Sequence, residues 1–242
     1  MDNEWNEMKA TNETKERSVT GTITKVERQK RSKDRYNLYI DEQFACSIHE
    51  DILIKYRLVK GVEVSRNEMN EIAQAEDKQR AYLDAVRLLA SRLRSEQELT
   101  FRLKQKGYDG RLITDTLERL KREKYIDDRL FAEQLAKQRI GSQKKGRNWV
   151  KQELKQKGVK PEQINQAIEQ IDEDTEYSSA LELALKKYRT EAAADVLKAK
   201  RKAIAFLQRR GYSSGVISKV MKQIGSAGDW EEEELAESDF DD

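Results

Sequence analysis

Apolar and polar residues alternate between residues 18 and 65 with the period of β-strands. The alternation runs through RYNLYIDEQFACSI, residues 35–48, on both sides of a short turn. Side chains two residues apart lie on one face of a strand, so this pattern predicts a hairpin, and TGTITKVER before it predicts a third strand. A short helix closed by Gly61 should complete a small β-rich N-terminal module at 18–65. The polar residues 1–17 are predicted to be a disordered arm.

Three later segments superpose on one another when their glycines are aligned. They are RLKQKGYDGRLITDTLERL, ELKQKGVKPEQINQAIEQI and FLQRRGYSSGVISKVMKQI. Gly107, Gly158 and Gly211 should each end a helix, because glycine adopts a left-handed backbone at least cost. Apolar residues six, ten and thirteen positions after each glycine have the spacing of one helix face. The leucine four residues before each glycine is Leu103, Leu154 or Leu207.

A further helix before each of these helix pairs has matching alanine and leucine positions, which gives three helices in each copy. We expect the copies at about 66–124, 125–172 and 173–225. Units of this size cannot bury a shared apolar face alone, so they stack on one another. The predicted fold is therefore mainly α, with three tandem three-helix repeats forming a curved solenoid after the β-rich module.

The distribution of charge indicates the kind of partner. Charged residues make up 38% of the chain and the net charge is only +2, but residues 78–224 carry 34 Lys and Arg against 20 Asp and Glu. Residues 226–242 carry nine acids and no base, and they are predicted to form an acidic disordered tail. A basic body of this kind indicates a polyanionic partner, and simple solvation of the helices is the alternative.

The sequence offers little for catalysis, metal binding or membrane insertion. Cys46 is the only cysteine and His49 the only histidine, and neither has a third group nearby in sequence that would activate it. The basic segment 141–148 mimics a phosphate-binding loop but lacks its Lys-Ser or Lys-Thr end. No apolar run is long enough for a membrane span, and no secretory signal is visible. We expect a cytoplasmic protein with no catalytic, cofactor or metal site.

Helix capping accounts for several conspicuous polar residues. Ser95 and Glu98 have the spacing of a capping box. Asp127 should be the N-cap of the following helix with Asp128 in its first turn, although two adjacent acids could also hold a metal ion. Trp149 is interpreted as a packing residue on an apolar stripe, and stacking on a nucleic-acid base is the alternative.

The chain resembles the RecX family in motifs that occur in the family's order and spacing. They are RLRSEQEL at 92–99, IDDRLFA at 126–132 and the L-x-x-K-G ends at 103–107 and 154–158. The resemblance covers roughly residues 19–224. It implies a monomeric, non-enzymatic regulator that lies in the helical groove of the RecA nucleoprotein filament. Such a protein limits filament growth, the RecA ATPase and strand exchange in DNA repair and recombination.

A helical DNA-binding regulator is the alternative function. A helix, a glycine turn and a second helix also describe a helix-turn-helix unit. Three copies with different outward residues, and no dimerisation segment, fit that function poorly. An enzyme is a further alternative, and it would require turnover of a nucleotide or nucleic acid by the pure protein.

Basic side chains at helix ends and junctions are the candidate partner-binding residues. The second helix of each repeat ends in a basic pair, which should point outward because its leucine points inward. Repetition would align these pairs into a basic row that also gives weak, salt-sensitive DNA binding. The candidates for RecA or DNA binding are Arg92, Arg94, Lys104, Lys106, Arg139, Lys144, Lys145, Arg147, Lys155, Lys157, Arg209 and Arg210.

Removal of the acidic tail should strengthen DNA binding. A tail that folds back on the basic body competes there with other polyanions. A chain that ends at Gly225 should then bind a fluorescent duplex more tightly than the full chain, most clearly at low salt, where charges are least screened. Anisotropy titrations at several salt concentrations measure this, with the tail acids replaced by Gln as a control of equal length. Equal affinities at low salt would leave the tail a role in solubility alone.

Overall fold

The computed structural model describes residues 21–192 and 195–237, without the side chains of 191, 192 and 226–237. The predicted arm at 1–17 lies outside the described residues. The chain forms two compact units. The first comprises the described residues up to Arg92 together with Arg102–Tyr125, and the second comprises Leu93–Phe101 and the residues from Ile126 on.

The first unit begins with an antiparallel sheet of strand order β3-β2-β1-β4. Its elements are β1 (Gly21–Arg28), β2 (Arg35–Ile40), β3 (Gln43–His49), α1 (Glu50–Lys55) and β4 (Glu63–Val64). The predicted hairpin is β2–β3. Its two turn residues, Asp41 and Glu42, have φ angles of 46° and 67°, as a tight two-residue hairpin requires. The Glu42 N–H donates to Thr24 Oγ1 at 2.9 Å, which ties this turn to β1.

Helix α2 (Arg66–Ser91) contributes to the core of the sheet module. Ser65 and Glu68 form a complete capping box at its start. Met69 and Ile72, in the first turns of α2, are buried in one cluster with sheet residues that include Leu38. Packing of the module therefore extends past residue 65 into the first helix of the first repeat.

Eight more helices follow α2 in the described chain. Together with α2 they form three groups of three, as predicted. Their bounds are α3 (Glu96–Gln105), α4 (Gly110–Arg122), α5 (Asp128–Lys137), α6 (Arg147–Gln156), α7 (Pro161–Glu169), α8 (Glu173–Ala192), α9 (Val196–Arg209) and α10 (Ser214–Glu237). A π-helical turn, Gln138–Ser142, continues α5. Helix α10 passes Gly225, where we expected disorder to begin, because WEEEELAE is rich in helix formers and has no Gly or Pro. Residues 238–242 lie outside the described residues.

The three aligned glycines end their helices as predicted. Gly107, Gly158 and Gly211 have φ angles of 89°, 76° and 85°. In each case the N–H of the residue after the glycine donates to the carbonyl of the leucine four positions before the glycine, here called the inward leucine. This hydrogen bond closes the last turn of the helix. These hydrogen bonds are Tyr108 to Leu103 (3.3 Å), Val159 to Leu154 (3.1 Å) and Tyr212 to Leu207 (3.1 Å).

The predicted apolar stripe of the third helices is also confirmed. All of its members are buried except Met221, which is half-buried. The stripe consists of Ile113, Leu117, Leu120, Ile164, Ile168, Ile171, Ile217, Met221 and Ile224. Together with the inward leucines, these side chains form the cores of the repeats.

Leu103→Ala and Leu154→Ala should have similar, large effects on stability. Both leucines are 0% exposed, so each truncation should lower the free energy of unfolding by about 2–5 kcal/mol. Phe101→Ala, at a position 59% exposed on the same helix as Leu103, is the control and should stay within about 0.5 kcal/mol of wild type. Urea unfolding followed by circular dichroism measures the free energy of unfolding of the three variants. A cost at either leucine as small as that at Phe101 would contradict the repeat alignment.

Candidate partner-binding residues

The start of α3 is held by residues of the second repeat. The Ser95 hydroxyl donates to the Lys157 carbonyl at 2.7 Å and accepts from the Glu98 N–H at 3.2 Å. The Glu96 N–H donates to the Asp128 carboxylate at 2.9 Å. Lys157 Nζ lies 2.8 Å from Glu98 Oε1. The first N–H groups of a helix have no partner inside it, so these contacts satisfy donors that would otherwise be unpaired.

The start of α6 is held in the same way by residues of the third repeat. The Gly146 N–H donates to the Arg210 carbonyl at 2.9 Å, and the Arg147 N–H donates to Glu176 Oε1 at 2.9 Å. The Arg147 guanidinium lies 2.9 Å from the same carboxylate and donates to the Ile171 carbonyl at 2.7 Å. The Glu176 side chain is only 5% exposed. Arg147 therefore compensates a buried negative charge, which would be costly if left alone.

The two arrangements use equivalent positions of the repeat, and we call each of them a repeat joint. In each joint, one member is the residue eight positions before the inward leucine of its repeat. The second member comes from the following repeat and is the residue just before the glycine that ends the second helix there. The third member is an acid four positions before a buried alanine of the next first helix. The first joint uses Ser95, Lys157 and Asp128, and the second uses Gly146, Arg210 and Glu176.

Backbone contact in the second joint requires glycine. A Cβ at Gly146 would lie 2.2 Å from the carbonyl carbon of Gly211, and a Cβ at Gly211 would lie 2.4 Å from the backbone N of Trp149. Trp149 packs against the core of the second repeat, and Lys145 Nζ lies 4.3 Å from its ring centroid. These contacts agree with the packing role predicted for Trp149. They also show that the basic segment 141–148 is a structural element and not only a link between two helices.

The prediction that all the helix-end basic pairs point outward is wrong for two residues. The Lys157 side chain is 22% exposed and pairs with Glu98. The Arg210 guanidinium donates to the Lys144 carbonyl at 3.0 Å and also bonds the Gln143 carbonyl. The reason is the joint itself, because the residue before the glycine stop lies against the neighbouring repeat and meets its acids and carbonyls.

Two further candidates at the second junction are also engaged by the fold. Arg139 donates to both oxygens of Glu153 at 2.8 Å, and these hydrogen bonds raise the pKa of Arg139. Lys144 pairs with Glu182, and its carbonyl accepts from the Tyr212 hydroxyl at 2.8 Å. Both side chains, like that of Arg147, therefore stabilise the second unit.

Three candidates at the ends of the second helices remain available to a partner. Lys104, Lys155 and Arg209 are exposed, and none has an ion-pair or hydrogen-bond partner for its side chain within the described ranges. In the third repeat, Gln208 occupies the position of these two lysines, and Arg209 comes one residue after it.

The other candidates keep contacts within the chain. Lys106 pairs with Asp84 at 3.2 Å but stays 46% exposed. Arg92 is exposed and Arg94 half-buried, and both contact other residues. The charge pattern alone did not separate these residues from the exposed ones.

The adjacent acids Asp127 and Asp128 are both used by the fold. Asp127 is the N-cap of α5 and accepts from the N–H groups of Arg129 and Leu130, as predicted. In the part of the chain that the structure describes, no group of three or more His, Cys, Asp or Glu could hold a metal ion. None of the helices described is long and apolar enough to cross a membrane.

Family models match four consecutive parts of the chain. The regulatory protein RecX N-terminal domain matches residues 21–65. The first, second and third three-helix domains of RecX match residues 81–120, 127–168 and 174–221. These matches confirm a small N-terminal module followed by three tandem three-helix repeats.

Relatives and solved structures agree with the family models. A regulatory protein RecX of Oceanobacillus iheyensis is 33% identical over 216 residues, which is 87% of this chain and 79% of the relative. Another, of Clostridioides difficile, is 30% identical over 84% of this chain and 96% of the relative. A crystal structure of regulatory protein RecX has a TM-score of 0.70 at 29% identity and covers 84% of this chain and all of that one. RecX from Lactobacillus salivarius, at 20% identity and a TM-score of 0.59, covers 62% of this chain and 98% of that one and shows a similar fold.

Substitution at Gly146 should test the second joint. Gly146→Ala puts a methyl group into the backbone of Gly211, so it should lower the free energy of unfolding by roughly 1–3 kcal/mol or more. Gly141→Ala is the matched control, since a Cβ at Gly141 meets no atom within 4 Å, and it should change stability by no more than about 0.5 kcal/mol. Denaturant unfolding measures both. Two equally small effects would mean that the two backbones do not meet.

Proposed function

The chain belongs to the RecX family of regulatory proteins, and from that premise we propose that it binds the RecA nucleoprotein filament and restrains it. It would limit filament growth, and with it the ATPase and strand exchange of RecA, in DNA repair and recombination in the cytoplasm. The ordered match of all four RecX domains is the observation that carries this proposal. The action is one of binding by a monomer, not of turnover.

The exposed basic ends of the second helices are the proposed contacts with the filament. Lys104, Lys155 and Arg209 are not neutralised within the described chain, so an acidic surface of a partner gains their full attraction. Complementary charge of this kind steers association and adds specificity. The same charge favours weak, salt-sensitive contact with the DNA of the filament.

A helix-turn-helix DNA regulator is the less favoured function. In that fold the helix after the turn enters the major groove and reads base edges. The corresponding helix of the second repeat, α7, has the sequence PEQINQAIE, with two acids and no Lys or Arg. Such a helix would be repelled by the phosphates on both sides of a groove.

A triple charge reversal should weaken inhibition of RecA. Lys104→Glu, Lys155→Glu and Arg209→Glu in one chain should raise the concentration for half-inhibition of the RecA ATPase on single-stranded DNA by about tenfold or more, equivalent to ~1.4 kcal/mol of binding. The three side chains are exposed, so the variant should remain folded. The measurement is a titration of the protein into RecA with saturating ATP.

The control reverses three exposed charges in and directly after the β-rich module, Lys30, Lys60 and Arg66. Both variants change the net charge by the same amount, and circular dichroism checks their folding. An equal loss of RecA inhibition in both variants would mean that inhibition depends only on the net charge of the protein. A wild-type protein that leaves the RecA ATPase unchanged would contradict the proposed function itself.

A further inference from the structure

Positive charge is concentrated in the last part of the third repeat. Residues 186–222 carry eleven Lys and Arg against two acids, whereas residues 78–185 carry 23 against 18. Most of the net charge of the basic body therefore falls on the end of α8, on α9 and on the start of α10. Only Arg209 and Arg210 of this group were among the candidates chosen from the sequence.

Four exposed basic side chains lie at one end of the α8–α9 pair. Lys186 and Arg189 are in the last turns of α8, and Lys198 and Arg201 are in the first turns of α9. Three residues separate the two helices, which pack against each other as antiparallel neighbours. At 1.5 Å per residue, all four lie within about 10 Å of the connected end along the helix axes. We call these four residues the third-repeat basic face.

The described side chains do not neutralise the third-repeat basic face. Across the described ranges, none of the four side chains has an ion-pair or hydrogen-bond partner. The second repeat differs, because its Arg147 is bound by Glu176 in the joint with the third repeat. The residue of the third repeat equivalent to Arg147 is Lys200, and no described carboxylate pairs with it. Within the described part of the chain, the basic residue that pairs with an acid in the second repeat therefore has no such partner in the third.

We propose that the third-repeat basic face binds the sugar-phosphate backbone of nucleic acid. Four exposed cations at one end of the helix pair, with no ion-pair partner among the described side chains, provide the electrostatic contact that phosphates require. Tyr188 and Phe206, the aromatic residues of this helix pair nearest to the face, pack against the core and are not free to stack on bases. Binding is therefore independent of base sequence. This inference does not depend on an interaction with RecA.

An anionic membrane surface fits the same charge less well. Val196 and Leu197, beside the basic face, are 47% and 67% exposed. A helix that lies on a membrane needs an apolar face along its length, but the apolar face of α9, which includes Ala203 and Leu207, is buried in the repeat core. Two side chains do not replace such a face.

The test is a charge reversal of the face, with DNA binding measured in the absence of RecA. A chain with Lys186→Glu, Arg189→Glu, Lys198→Glu and Arg201→Glu is titrated into a short fluorescent duplex of mixed sequence and into single-stranded DNA. Affinity at low salt should fall by about tenfold or more, and the slope of log affinity against log salt should shrink by ~0.9 for each phosphate that the variant no longer neutralises. Two double variants, one for each helix, should each show about half of that change in slope.

The control reverses four exposed charges in and directly after the β-rich module, Lys30, Lys33, Lys60 and Arg66, and so makes the same change in net charge. The proposal expects the control to keep most of the wild-type affinity and salt slope. Equal weakening by both quadruple variants, or unchanged binding by the face variant, would overturn it. Loss of RecA inhibition with unchanged DNA affinity would also overturn it, and would assign the face to an acidic protein surface. Loss of DNA affinity with intact RecA inhibition would support the face while leaving the proposed function in place.

Discussion

The unpaired backbone groups at helix ends are the constraint on which this repeat architecture depends. A second helix begins with N–H groups that need acceptors, and the following repeat provides a carbonyl and a carboxylate for them. The two joints solve the same problem differently. At Gly146 the backbones meet directly because neither that residue nor Gly211 has a Cβ, whereas at Ser95 a hydroxyl spans the distance to the Lys157 carbonyl.

The joints also decide which basic residues remain available to a partner. Asp128 and Glu176 place a negative charge at a helix N-terminus, where the helix dipole favours it. Glu176 is buried and therefore needs a positive partner, which Arg147 supplies. Part of the positive charge visible in the composition is thus used inside the second unit, and a count of Lys and Arg overstates what the surface offers.

The periodicity of the sequence was sufficient for the fold but not for the candidate site. Leucines, glycine stops and apolar stripes repeat because each copy solves its own packing problem, so aligning the copies predicted their burial. Lys155 and Lys157 look alike in sequence, yet one is exposed and the other is paired with Glu98 from another repeat. That pairing depends on a contact between residues 59 positions apart. Spacing within a helix does not contain this information, although the alignment of Ser95 with Gly146 was a signal that could have revealed the joints.

The first two repeats share the same joint positions, so contacts that belong to one repeat alone arise where the copies differ. The joint position filled by Ser95 and Gly146 holds Ala199 in the third repeat, where it is fully buried. Lys200, which stands at the position of Arg147, has no carboxylate partner among the described side chains. Lys198 and Arg201, close to Ala199, are exposed and likewise have no side-chain partner in the described ranges. At the position where the first two repeats form joints, the third repeat instead has a small buried side chain close to exposed cations, and this difference in contacts accounts for a surface charge unlike that of the two repeats before it.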